Sequence, residues 1–98
     1  MAIARARRLQ YSKRFEASDW QNDVLEVIQS GVPTPGQLGP HKLPISGIFE
    51  TKIYRADSVL QEVEVQTQQY VDGRVIFRKT SLSPAFDGII LIRANRYE

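Results

Sequence analysis

A chain of 98 residues has room for one modest core, and with no cysteine that core is built without disulfides or thiolate-bound zinc. Its 42% apolar and 24% charged content is that of an ordinary globular domain, and no apolar run approaches the ~20 residues of a membrane-spanning helix. The net charge of +2 conceals a split: residues 1–14 hold Arg5, Arg7, Arg8, Lys13 and Arg14 with no acid, whereas the remaining eight basic and eleven acidic side chains leave the body at −3.

Residues 1–17 interleave those cations with Ile3, Leu9, Tyr11 and Phe15 at spacings that fit neither a helix nor an alternating strand. They read as an extended basic arm ahead of a single domain over 18–98. No apolar stretch follows the basic one, as a secretory signal would require, so a cytoplasmic chain or one within an intracellularly assembled particle is expected.

A helix is expected over 19–30. Ser18 followed by Gln21 has the spacing of a capping box, and Asp19 suits the positive end of a helix dipole. Trp20, Val24, Val27 and Ile28 fall on one helical stripe, with Trp20 expected in the core. Gly31 and Pro33 then form a stop signal. Residues 32–44 contain four prolines and two glycines, which forbid helix and central strand and predict a long irregular loop.

From there the pattern is antiparallel sheet, with strands expected at about 46–55, 59–70, 74–81 and 88–93. Phe49, Thr51 and Ile53 alternate with Glu50, Lys52 and Tyr54, and a turn follows at Ala56-Asp57-Ser58. At Val71-Asp72-Gly73 the apolar pattern selects a three-residue loop with Gly73 left-handed, pairing Tyr70 with Arg74 and Gln66 with Arg78. Ile89-Ile90-Leu91-Ile92 predicts a strand covered on both faces. The fold class expected is thus α+β: one N-terminal helix packed on an antiparallel sheet, or on a small partly open barrel, of about four strands.

Chemistry is hard to place. His41, the only histidine, stands in the proline-rich loop without a neighbouring carboxylate and reads as a solvated side chain. Glu62 and Glu64 read as cross-strand charge partners of Arg78 rather than as a catalytic pair. No calcium-loop spacing or glycine-rich phosphate loop is present, so no enzyme, metal or cofactor is expected.

The basic arm is the strongest candidate for a binding function, with Arg5, Arg7, Arg8, Tyr11, Lys13 and Arg14 as the partner-binding residues. Two partners suit it. One is another protein subunit, the acidic body of a second copy included, making the chain a structural component of a large assembly such as a virus or phage connector or tail. The other is nucleic acid, with cations on phosphates and aromatics on bases, although Glu62, Glu64, Gln66 and Gln68 make a poor phosphate-tracking surface. A protein-inhibitor module is a third reading. The arm, the proline-rich loop and the long hairpin over 59–80, with a projecting tip, are the expected docking devices.

Overall fold

The computed structural model describes residues 6–56 and 59–97. Among the described residues about half are strand, and no helix reaches seven residues. The described residues form eight strands in two four-stranded sheets. The first contains β1 (Ala6–Phe15), β8 (Gly88–Tyr97), β4 (Ile48–Ala56) and β5 (Leu60–Glu62), side by side in that order and antiparallel throughout. The second has the order β3 (Gln37–Leu38), β2 (Val24–Val27), β7 (Val75–Arg78) and β6 (Gln66–Gln69), antiparallel except for the β2–β3 pair.

The two sheets share one core. Ile90, Ile92 and Ala94 of β8 alternate inward and are fully buried, as are Leu25 and Val27 of β2 and Val75 and Phe77 of β7. Phe15, Trp20 and Phe86 close one end as an aromatic cluster, with ring centroids 5.3–5.9 Å apart in edge-on and tilted arrangements. Trp20 is a core residue as expected, and its indole Nε1 donates to the Phe86 carbonyl at 3.1 Å.

The expected helix at 19–30 is absent, and the fold class is corrected from α+β to mostly β. A single 3-10 turn, Ala17–Asp19, stands where the helix was to begin. Asn22 and Asp23 then take left-handed conformations (φ 51° and 67°), and Gln21 and Val24 exchange backbone hydrogen bonds of 2.8 and 3.0 Å around them. That is a two-residue hairpin turn, for which Asn and Asp are well suited. Past it, Val-Leu-Glu-Val alternates, and Leu25 and Val27 lie opposite Phe77 and Val75. A stripe at i, i+4, i+7 and i+8 is therefore also served by a tight turn followed by a β-branched strand, and pairing with β7 settles the contest.

Residues 6–15 of the expected arm are not free; residues 1–5 lie outside the described residues. β1 runs beside β8 from Ala6 opposite Tyr97 to Phe15 opposite Gly88, so the chain's last strand holds its first. The expected strand at 59–70 is two strands in different sheets. β5 pairs with β4 and β6 with β7, and residues 63–65 carry the chain across. The expected 74–81 strand is the shorter β7, whereas 88–93 extends to Tyr97. The turn expected at Asp57-Ser58 lies outside the described residues.

The hairpin register is the expected one. Tyr70 N–H donates to the Arg74 carbonyl at 2.9 Å, Gln66 stands opposite Arg78, and Gly73 has φ +92°.

Candidate binding surface

The proline-rich loop and the hairpin tip are stitched to each other. His41, expected in solvent, is 4% exposed. Its Nε2 donates to the Gly73 carbonyl at 2.7 Å while its Nδ1 accepts from the Leu43 amide at 3.0 Å, an arrangement that fixes the neutral Nε2–H tautomer. Burial pushes its pKa below the ordinary value, against the opposing pull of the Gly73 bond. With both ring nitrogens committed to backbone, this histidine is not placed to take a proton from a substrate.

The rest of the loop is anchored as well. Leu38 and Leu43 are buried, and the Gln29 side-chain amide donates to the Leu43 carbonyl at 3.2 Å. At the hairpin, Arg74 is bound by Glu26 at 3.1 Å and Asp72 at 2.8 Å, and its guanidinium lies 4.5 Å from the Tyr70 ring centroid. The Arg74 backbone amide, followed by its guanidinium, holds the Asp72 carboxyl below the usual carboxylate range. Val71 alone stands out from this tip, almost wholly exposed.

The surface left for binding is β1 and what lies beside it. Arg8, Gln10, Ser12 and Arg14 share the outer face of the first sheet, opposite Asn95, Arg93, Leu91 and Ile89 of β8. Arg7 and Lys13 have the inward parity but remain exposed, because β1 is the sheet's edge. Lys13 and Arg14 form no ion pair among the described residues, and the Arg8 guanidinium lies 6.0 Å from the Phe49 ring centroid. No backbone hydrogen bond joins β1 to any described element except β8, so from Arg8 to Phe15 the outer row of amides and carbonyls meets no other described strand.

Of the residues expected to bind a partner, Arg7, Arg8, Lys13 and Arg14 lie on this strand, strung out over roughly 20 Å between Arg8 and Arg14. Arg5 lies outside the described residues. Tyr11 is half-buried on the inner side, 6.4 Å from the His41 ring and hydrogen-bonded with the Gly39 backbone; burial raises its pKa. It is a packing residue and not a stacking platform.

The sequence reading missed Arg93 and Arg96. β8 sets Arg96 opposite Arg7 and Arg93 opposite Gln10, with Arg93 also bound to Glu50 at 3.4 Å. Only antiparallel pairing of the chain's two ends reveals them. Together β1 and β8 bear six cations and no acid. At the other edge of the sheet the sign reverses: Leu60, Gln61 and Glu62 of β5 are all exposed, Glu64 follows, and Val59 and Leu60 are about two-thirds exposed.

Among the described residues no group of three or more His, Asp or Glu side chains could hold a metal ion, and no helix is long and apolar enough to cross a membrane. Comparison with protein-family models, curated proteins and solved structures finds no match to this chain.

Proposed function

We propose that this protein is a non-enzymatic structural subunit that assembles with further copies of itself by extending its first sheet from edge to edge. The observation that carries the proposal is β1: an edge strand whose outer hydrogen-bonding row meets no other described strand from Arg8 to Phe15, and whose charged residues are all basic. Edge strands of this length template pairing with another chain, and their side-chain charge selects the partner.

The molecule's own opposite edge fits that selection. Pairing β1 with β1 about a two-fold axis sets cations against cations, which is unfavourable. Pairing β1 of one subunit with the β5 edge of the next sets Lys13 and Arg14 among Glu62 and Glu64, and covers Val59 and Leu60. Such a contact is heterologous, so its product is a ring or a filament.

Light scattering on the size-fractionated protein tests the reading. Wild type is expected as a discrete oligomer or an elongating series that dissociates as salt rises. Lys13→Glu with Arg14→Glu gives monomer, as does Glu62→Lys with Glu64→Lys, and all four changes in one chain restore assembly. A wild type that is monomeric at every concentration sinks the proposal.

The six cations of β1 and β8 favour a second reading, a nucleic-acid-binding ribbon. Binding to a generic oligonucleotide that falls steeply with salt, by a monomer, would select it.

A further inference from the structure

Where residues 63–65 cross from one sheet to the other, the sheets part and leave a cleft of about 640 Å³. That volume lies within the range of small-molecule sites. Phe86 is buried in its floor, and half-buried Val63 and Val65 line its side. Two arginines from different sheets line it, Arg55 of β4 and Arg78 of β7.

Arg55 is the unusual group. It lies on the inward face of β4, opposite Gly88, where a Cβ would come within 1.9 Å of the Tyr54 carbonyl oxygen and 2.7 Å of the Phe15 ring. With no side chain at Gly88, Phe15 fills that space and the Arg55 guanidinium lies over Phe86, 4.9 Å from the ring centroid. Its Nε is buried and donates to no protein acceptor, and no carboxylate among the described residues pairs with it. A buried, unpaired guanidinium donor is costly, and its fork matches a planar carboxylate.

The neighbouring polar groups are already committed. Lys79 Nζ donates to Asp23 Oδ1 at 2.6 Å and to the Ser83 carbonyl at 2.7 Å. The Thr80 and Ser83 hydroxyls bond each other at 3.2 Å. Glu64 lines the cleft without an ion pair among the described residues, so the cleft tolerates one negative charge better than two.

We infer that this cleft binds a small organic carboxylate with an apolar or aromatic body. The carboxylate takes the Arg55 fork with Arg78 as the second cation, and the body lies on Phe86, Val63 and Val65. The inference rests on Arg55 and the cleft, independently of the sheet edges.

Phenylacetate is a suitable probe, followed by the arginine Nε–H resonances of the labelled full chain. A saturable shift at Arg55 with a dissociation constant of about 1 mM or tighter is expected for a ligand of this size. Arg55→Gln should weaken binding at least about tenfold, the scale of one charge-assisted contact, and Arg78→Gln less. Phenylacetamide, with the same body and no charge, should not bind. Should Arg55→Gln fail to fold, the acid–amide pair and Arg78→Gln still decide. The inference is overturned by the absence of a shift at Arg55, by equal binding of the amide, or by inorganic phosphate binding more tightly than phenylacetate.

Discussion

The two sheets handle charge in opposite ways. In the second, Arg74 is shared by Glu26 and Asp72, Lys79 is 7% exposed and bound to Asp23, and Gln37 bonds Glu26 across the β2–β3 pair. Its strands are short, and buried polar contacts with the proline-rich loop hold them in place. In the first sheet three of the four strands run to nine or ten residues, the backbone ladder does the holding, and Lys13 and Arg14 stand at an edge without ion-pair partners among the described residues. A charge satisfied inside the chain serves the fold, whereas one left at an unpaired edge is available to a neighbour. The substitutions below test that division, beginning with those that should unfold the protein.

The largest effect is expected at Phe77, fully buried between Leu25 and Thr67 of the flanking strands. Phe77→Ala removes its burial and leaves a cavity, at a cost of about 3–5 kcal/mol. For so small a domain that is a large part of the total stability, and denaturant unfolding should show it directly. Next comes Gly73→Ala. The residue must keep φ +92°, and its new Cβ would lie 2.6 Å from the Gln29 side chain and 2.8 Å from Ile45. A loss of about 1–3 kcal/mol is expected from the backbone strain alone, with the His41 bond to this carbonyl disturbed as well.

That hairpin was legible in the sequence, since Asp-Gly and the alternation around it are local and leave one register that buries Val75 and Phe77. The aliphatic run of β8 was legible for the same reason. The helix was misread because Trp20, Val24, Val27 and Ile28 make a helical stripe in the sequence, whereas the strand turns Leu25 and Val27 inward, and the left-handed turn at Asn22-Asp23 looks locally like polar helix surface. β1 was misread as an arm because an edge strand need not alternate: Lys13 can take the inward parity and still reach water. Its partner lies at the other end of the chain, a pairing with no local signal. Arg93, Arg96 and the Arg55 cleft depend on that closure and were invisible for the same reason.

A smaller, pH-dependent effect is expected from His41. Its folded pKa is depressed, so below about 6.5 the unfolded chain takes up a proton that the folded chain refuses. Stability should be full above that pH and fall as pH drops toward the lowered folded value. Protonating Nδ1 also ends its acceptance from Leu43 N–H. Thermal unfolding followed between pH 7.5 and 5 should show the decline, and His41→Gln should flatten it. An unchanged slope in that variant would mean that the loop is not held by this ring.

The smallest effect on folding is expected where the largest effect on assembly is. Lys13 and Arg14 are exposed and unpaired among the described residues, so reversing both should move the unfolding free energy by no more than about 0.5 kcal/mol each. Removing residues 1–14 would be a different experiment, because it strips β8 of its ladder partner and unfolds what it means to test. Charge reversal keeps the strand and changes only what it offers. If the double reversal melts at the wild-type temperature yet no longer associates, the edge of the first sheet is an assembly surface. If it unfolds instead, β1 owes its place to those charges, and the division between a sheet that serves the fold and a sheet that serves a neighbour fails.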